Sequence, residues 1–145
     1  MAAGGFSADF PRYDRARMFD LAADIESYPQ FIPWCRHTRI LARSEAGWDV
    51  DNLFGLGPIE VRFRSRAVPV APERLEITAS GAPFHRFRLL WTFAALPAGG
   101  TRVEAEYAID FRSPALQLAA RLGGREIERR VLHSFQAQAR RRYGW

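Results

Sequence analysis

Between residues 35 and 112 the sequence repeatedly alternates apolar and polar side chains, and glycine- and proline-rich breaks separate the runs. In residues 102–111, for example, Val103, Ala105 and Tyr107 alternate with charged neighbours. A period of two predicts strands that bury one face. Because no helical pattern interrupts the runs, we expect hairpin connections and an antiparallel sheet.

Helical spacing flanks this block on both sides. Apolar residues in 14–25 recur at helical intervals behind a potential N-cap, Asp14. Residues 28–34 are aromatic and twice broken by proline, which predicts a helical turn and a loop. A strand within residues 6–13 is expected to be short or at a sheet edge, because it contains Asp9 and Pro11.

The chain ends in a long predicted helix. Ser113 and Pro114 form a cap and a first-turn proline, and the helical pattern continues to about Arg142. Gly123 and Gly124 interrupt it and predict a kink or a close approach to another backbone. The predicted order is β-α-α-β6-α. It describes an α+β fold in which a curved, seven-stranded antiparallel sheet wraps around the C-terminal helix, in one domain over residues 1–145.

The predicted inward face of the sheet carries unusually large side chains. They are Trp48, Phe54, Phe63, Phe87, Trp91, Phe93, Tyr107 and Phe111. A tightly packed aromatic core is one interpretation. A strongly curved sheet that is covered by one helix leaves space instead, and apolar spaces of this kind are common ligand sites. The pattern favours the cavity and leaves the packed core open.

The net charge of +5 comes entirely from the end of the chain. Residues 1–113 carry 14 arginines and 14 acidic residues, whereas residues 114–145 carry seven arginines and two glutamates. Arg121, Arg125 and Arg129 follow one helical stripe, and Arg140 belongs to a later basic cluster. Such a stripe is either a solvated helix face or a surface for anionic lipid or RNA phosphate, and the sequence does not choose between them.

Catalytic and metal-binding patterns are lacking in the sequence. His37, His85 and His133 have no metal-ligand spacing, so we expect no metal site and no catalytic residues. Cys35 is either a plain, partly buried cysteine or a thiol of lowered pKa beside Arg36. The N-terminus lacks the features of an export signal, which favours a cytoplasmic protein.

Three stretches of the sequence resemble one known family. Residues 18–35 read MFDLAADIESYPQFIPWC, residues 81–87 read GAPFHRF ahead of Trp91 and Phe93, and the chain closes with FQAQAR and Tyr143-Gly144. Together they resemble the coenzyme Q-binding, polyketide-cyclase-like family of the START-like superfamily, over about residues 7–144. The resemblance implies a helix-grip fold and a cavity between the sheet and the terminal helix.

The resemblance also implies a function. It is the non-catalytic binding and transport of ubiquinone or a similar polyprenyl lipid in support of respiration, with no other cofactor. The expected ligand-binding residues are Trp34, Phe54, Phe63, Phe87, Trp91, Tyr107 and Phe135. The expected arginine face would meet an anionic membrane, which places the protein at the periphery of the inner membrane. The alternative is a RatA-like ribosome-association toxin that uses the same arginines on the large ribosomal subunit, and a polyketide cyclase or dehydratase is a weaker third reading.

Overall fold

The computed structural model describes residues 2–56 and 58–144, and its centre is one antiparallel sheet. The strands are β1 (Ala2–Phe10), β2 (Cys35–Ser44), β3 (Gly47–Leu56), β4 (Ile59–Val70), β5 (Arg74–Gly81), β6 (Phe84–Ala95) and β7 (Thr101–Phe111). Their order across the sheet is β1-β7-β6-β5-β4-β3-β2. The sheet therefore consists of six consecutive hairpin-linked strands, with the N-terminal strand added beside the last one, as the alternating pattern predicts.

Two short helical elements connect β1 to β2. Helix α1 spans Arg15–Ala23, and the Asp14 side chain caps it by accepting a hydrogen bond from the Arg17 amide at 2.9 Å. A 3-10 helix follows at Ile25–Gln30 and contains Pro29. The sequence pattern placed Ile25 inside the first helix. In the structure the α-helix ends earlier, and Ile25 begins the second element.

The first strand differs from the expectation in position. It begins at Ala2 and ends at Phe10, so its nine residues start before the segment 6–13 in which it was expected. It lies at the sheet edge beside β7, as predicted. Pro11 comes directly after the strand, where its missing N–H costs no ladder hydrogen bond.

Helix α2 (Pro114–Tyr143) lies against the concave side of the sheet and runs unbroken through Gly123 and Gly124. The glycines therefore do not end the helix. The close approach found at Gly124 is to a side chain and not to another backbone, as was expected: a Cβ at Gly124 would lie 3.1 Å from the Tyr107 hydroxyl oxygen. Among the described residues, no helix combines the length and the apolar character that a membrane crossing requires.

The outer face of the sheet is held by ion pairs between neighbouring strands. Arg62 pairs with Asp51 at 2.7 Å, and Arg88 pairs with Glu76 at the same distance. These charges alternate with the inward residues, so each strand buries one side only. Irregular pairing within β2 and at the β5–β6 end introduces bulges, which bend strands.

Candidate functional site

An apolar cavity lies between the concave face of the sheet and the first half of α2. Its volume is about 310 Å³. Strands β3, β4, β6 and β7 together with α2 supply most of the lining residues, and Tyr28, Ile32 and Trp34 add to them from the segment before β2. Ligand pockets commonly measure about 300 to 1,000 Å³ and are lined mainly by apolar side chains. The space fits the smaller end of that range, and it decides between the two interpretations of the aromatic face in favour of the cavity.

Small residues on α2 keep this space open. Ala119, Ala120 and Gly124 face the cavity, whereas the next turns present Ile127 and Val131. Since alanine and glycine project little or no side chain, the helix can lie over the sheet without filling the gap beneath it. Ile127 and Val131 still line the cavity, and the packed core begins beyond them, at Phe135 and Ala139.

Six of the seven expected ligand-binding residues line this cavity. They are Trp34, Phe54, Phe63, Phe87, Trp91 and Tyr107. The phenyl rings of Phe54 and Phe63 meet edge to face with their centroids 4.9 Å apart, and Phe63 meets Phe84 in the same way at 4.9 Å. Edge-to-face packing of this kind holds rings in defined positions. The structure therefore gives the cavity a preformed aromatic wall.

Phe135 does not line the cavity. Its side chain is fully buried, and its ring centroid lies 4.9 Å from that of Trp91 and 5.9 Å from those of Phe10 and Phe31. Phe135 lies two helical turns beyond Ile127, where α1 and the 3-10 helix fill the space under α2. Phe135 was expected to contact the ligand, and in the structure it packs in the core instead.

A polar pair interrupts the apolar wall where β3 and β4 adjoin. Asn52 and Ser65 line the cavity, and only 6% and 8% of their surfaces are exposed. The Asn52 side-chain nitrogen donates to the Ser65 hydroxyl oxygen at 2.9 Å. Neither residue is among the ligand-binding residues expected from the sequence. The signal was present, since both residues occupy inward positions of strands that are otherwise apolar on that face.

A second polar group lies on the opposite wall, where Tyr107 of β7 meets Glu128 of α2. Both residues line the cavity, and Glu128 accepts a hydrogen bond from the Gly5 backbone amide at 2.9 Å. Burial, and then the nearby Glu128 carboxylate, raise the pKa of Tyr107 above its ordinary value. The phenol therefore stays protonated at neutral pH. No feature of the sequence around Glu128 predicts that it belongs to the site.

Two more buried groups stay neutral: Tyr28, which lines the cavity, and Cys35, which lies outside the cavity lining. Tyr28 donates its hydroxyl to the Ala22 carbonyl at 2.5 Å, and burial raises the pKa of its phenol. Cys35 is buried, and burial raises the pKa of its thiol to about 12. The interpretation of Cys35 as a thiol of lowered pKa is therefore wrong, because desolvation, which raises the pKa, outweighs the backbone hydrogen bond from His37, which lowers it.

The three histidines lie outside the cavity lining. His37, His85 and His133 are all exposed on the surface. Across residues 2–56 and 58–144, no three His, Cys, Asp or Glu side chains are grouped so that they could hold a metal ion. Glu128 is the one carboxylate that lines the cavity in this part of the chain, and one of its oxygens already holds the Gly5 amide.

The expected arginine face lies on the exposed side of α2, but its members differ. Arg121, Arg125, Arg129 and Arg140 are all exposed. Arg129 forms an ion pair with Glu126, which also contacts Arg130 at 3.3 Å. The charge of Arg129 is therefore partly neutralised. In the part of the chain that the structure describes, Arg121 and Arg125 in the first half of the helix form no ion pair with a carboxylate within 4 Å.

Two leucines lie exposed beside these arginines. Leu118 is 57% exposed and Leu122 is 80% exposed, on the part of α2 that covers the cavity. Exposed leucines are common singly, but two on successive turns of one helix form a small apolar stripe. With Arg121 and Arg125 at its side, this stripe, which we call the leucine–arginine stripe (118, 121, 122 and 125), has the composition of an interfacial helix.

Comparison with known proteins identifies a matching family and relatives of this chain. The model of the family described as polyketide cyclase / dehydrase and lipid transport matches residues 12–136. The chain is 25% identical over 132 residues to the ribosome association toxin RatA of Pseudomonas aeruginosa, which covers 91% of this chain and 92% of that protein. It is 24% identical to the coenzyme Q-binding protein COQ10 homolog B, mitochondrial, of Xenopus laevis, over 88% of this chain and 54% of that one.

Solved structures share the architecture at low identity. A START superfamily protein from Mycobacterium smegmatis superposes with a TM-score of 0.81 at 12% identity, covering 97% of this chain and 99% of the other. The Zhui aromatase/cyclase from Streptomyces sp. R1128 gives a TM-score of 0.80 at 13% identity, with 97% and 94% covered. Both confirm the START-like, helix-grip-type fold.

Proposed function

The chain belongs to the polyketide cyclase / dehydrase and lipid transport family, and from that premise we propose that it binds a hydrophobic small molecule beneath α2 and carries it chemically unchanged. The expected ligand is an isoprenoid quinone such as ubiquinone. The observation that carries the proposal is the 310 Å³ apolar cavity with its preformed aromatic wall. The similarity to a coenzyme Q-binding protein supports the choice of ligand class.

The size of the cavity suits a ring and the start of its tail. Burying each methylene group contributes about 0.8 kcal/mol, so burying a ring and a first isoprene unit contributes enough free energy for binding. Few polar contacts are displaced, because the cavity lining is mainly apolar. A longer polyprenyl tail exceeds the cavity and has to leave it. The small residues Ala119, Ala120 and Gly124 mark where the helix cover is thinnest.

Binding without chemistry fits the groups that face the ligand. General acid–base catalysis needs a group whose pKa lies near the working pH. Tyr28 and Tyr107 have raised pKa values and remain protonated, while Glu128 is engaged with the Gly5 amide. These groups favour a carrier over the enzymes of similar fold.

The leucine–arginine stripe supplies a way to exchange the ligand with a membrane. Leu118 and Leu122 can enter the acyl region of a bilayer, and Arg121 and Arg125 can meet anionic headgroups. Because the same part of α2 covers the cavity, contact with the bilayer would bring the cavity opening to the source of the lipid. We propose this surface as the docking face for an anionic membrane.

Lipid extraction tests the ligand directly. The protein is purified gently from a host that makes isoprenoid quinones, extracted with organic solvent, and the extract is analysed by mass spectrometry. Quinone in a one-to-one ratio with protein is the expected result. An empty extract, together with no binding when ubiquinone is added to the purified protein, would overturn the proposal.

Association with the ribosome is the second candidate function. It is favoured by the similarity to RatA and by the exposed arginines of α2, which suit phosphate as well as lipid headgroups. Binding to RNA phosphates falls steeply with salt, by about 0.7 to 0.9 log units per log unit of salt for each phosphate contacted. Co-sedimentation with purified large subunits over a salt series tests it. The expected result for this function is a steep slope that Arg121→Glu with Arg125→Glu flattens.

A further inference from the structure

We infer that the cavity prefers a ligand that carries a ring hydroxyl, such as a phenol or hydroquinone, over the matching carbonyl or ether compound. Asn52 and Ser65 recognise this hydroxyl by hydrogen bonding. The inference rests on the proposed function, since it concerns the same cavity. It adds the chemical form of the ligand's polar end. The preference depends on which hydrogen-bonding atoms of the pair are already used.

The amide of Asn52 has a fixed orientation. Its nitrogen lies 3.3 Å from the Val50 carbonyl oxygen, 3.3 Å from the Phe63 carbonyl oxygen and 2.9 Å from the Ser65 hydroxyl oxygen. Because the two backbone carbonyls can only accept hydrogen bonds, the atom that faces them must be the donor. The Oδ1 atom of Asn52 therefore has to point the other way.

The Oδ1 atom is open to the cavity. It accepts no hydrogen bond from any described residue. Within residues 2–56 and 58–144, the one side-chain polar atom that is both enclosed by protein and unpaired is Nε1 of Trp91. Since Asn52 is 94% buried and lines the cavity, the remaining exposure of its unpaired oxygen belongs to that space.

Ser65 supplies the complementary atom. Its oxygen accepts from Asn52, and its hydroxyl hydrogen has no acceptor among the described residues. Side chains of β3 and β4 pair so that Val50 lies opposite Ser65 and Asn52 opposite Phe63, which makes Asn52 and Ser65 diagonal neighbours on the inward face. One unused acceptor, Oδ1 of Asn52, and one unused donor, the Ser65 hydroxyl, therefore belong to neighbouring side chains of a mainly apolar wall.

A ligand hydroxyl group can form a hydrogen bond with each of these two atoms. Its oxygen can accept from Ser65 while its hydrogen is donated to Asn52 Oδ1. A carbonyl or ether oxygen can take only the Ser65 hydrogen, and it leaves Oδ1 buried without a donor, which costs free energy. For a quinone couple, a tenfold preference for the reduced form raises the two-electron midpoint potential of the bound couple by about 30 mV.

Two stable probes of nearly equal size test the inference: para-heptylphenol and its methyl ether. Their affinities are measured by isothermal titration calorimetry on the full chain. The expected result is that the phenol binds about tenfold more tightly, from one additional hydrogen bond and one satisfied acceptor. Equal affinities would overturn this inference and leave the proposed function standing. Failure of both probes to bind would overturn both.

Variants assign the preference to the pair. Ser65→Ala and Asn52→Leu should each reduce the phenol-to-ether ratio toward one. Val61→Ala is the matched control, because Val61 lines the same cavity on the same strand as Ser65 without a polar atom. It should weaken both probes alike and keep the ratio.

Circular dichroism and thermal melting check that each variant folds. If Asn52→Leu does not fold, Ser65→Ala alone decides the matter. A ratio that stays near tenfold in folded Ser65→Ala would overturn the assignment.

Discussion

The carboxylate of Glu128 accepts a hydrogen bond from the backbone amide of Gly5 at 2.9 Å, and so ties the middle of α2 to the edge strand β1. The two residues are 123 positions apart in the sequence. Gly4 makes room for this contact, because a Cβ there would lie 2.5 Å from the same carboxylate oxygen. The tie holds the helix over the cavity at its midpoint.

Removing this tie should destabilise the fold. Glu128→Ala leaves the Gly5 amide without its acceptor, so the free energy of unfolding should fall by about 1 to 2 kcal/mol in urea denaturation. Glu128→Gln keeps an acceptor oxygen and should lose less. Glu126→Ala is the control on the same helix, since Glu126 is exposed and contacts only arginines. Equal effects of Glu126→Ala and Glu128→Ala would contradict the structural role of the tie.

Filling the cavity should block ligand binding without unfolding the protein. Ala120 lines the cavity, so the ring of Ala120→Phe would occupy part of the space, and we expect affinity for para-heptylphenol to fall about tenfold or more. The matched control is Ala115→Phe, because Ala115 is exposed near the start of the same helix and lies outside the cavity lining. Calorimetric binding and thermal melting measure the two effects. Unchanged binding in folded Ala120→Phe would place the ligand elsewhere.

The leucine–arginine stripe should decide membrane binding. Leu118→Gln with Leu122→Gln removes the apolar insertion, and about tenfold weaker binding to vesicles of phosphatidylcholine and phosphatidylglycerol is expected. Arg121→Glu with Arg125→Glu should abolish the advantage of the anionic vesicles over pure phosphatidylcholine. Ligand affinity should stay unchanged in both. Leu41→Gln, an exposed leucine on β2, is the control, and co-sedimentation that all variants retain would remove the stripe from the mechanism.

The buried thiol of Cys35 should make stability depend on pH. Its folded pKa is raised to about 12, whereas the unfolded thiol ionises near 8.5. The unfolded state therefore releases a proton first, and stability that is fully present below about pH 8.5 falls as the pH rises toward the folded value. The slope approaches about 1.4 kcal/mol per pH unit.

Urea denaturation of the wild type and of Cys35→Ala between neutral pH and pH 10 isolates this contribution, since the variant lacks the thiol. A thiol-specific reagent should also leave the native protein unmodified and label it in denaturant. Parallel pH profiles for the two proteins, or rapid labelling of the native thiol, would show that Cys35 is not shielded as the structure places it.

Local patterns were sufficient for most of the elements. The alternating block predicted from residue 35 begins in the structure with β2 at Cys35, and α2 begins after Ser113, as its cap and proline predict. Alternation, capping and turn chemistry depend on neighbours in the chain, so they can be interpreted without the tertiary fold. The position of the first strand was less certain, because its partner β7 is about a hundred residues away.

The contents of the site depended on distant contacts. The stripe of Ile127, Val131, Phe135 and Ala139 looks uniform in the sequence, yet its first two members line the cavity and its last two pack in the core. The difference arises because α1 and the 3-10 helix fill only one end of the concave sheet. Likewise, Asn52, Ser65 and Glu128 acquire their roles from partners on other elements.

Periodicity along the chain is enough to specify a seven-stranded antiparallel sheet, a long amphipathic helix and an aromatic inward face. The packing of these elements in three dimensions is needed to show that the face encloses a cavity, which side chains border it, and which polar atoms remain unpaired inside it. Volume and hydrogen-bond satisfaction depend on how far apart the packed elements lie. Both the small residues of the helix and the bending of the sheet set that separation.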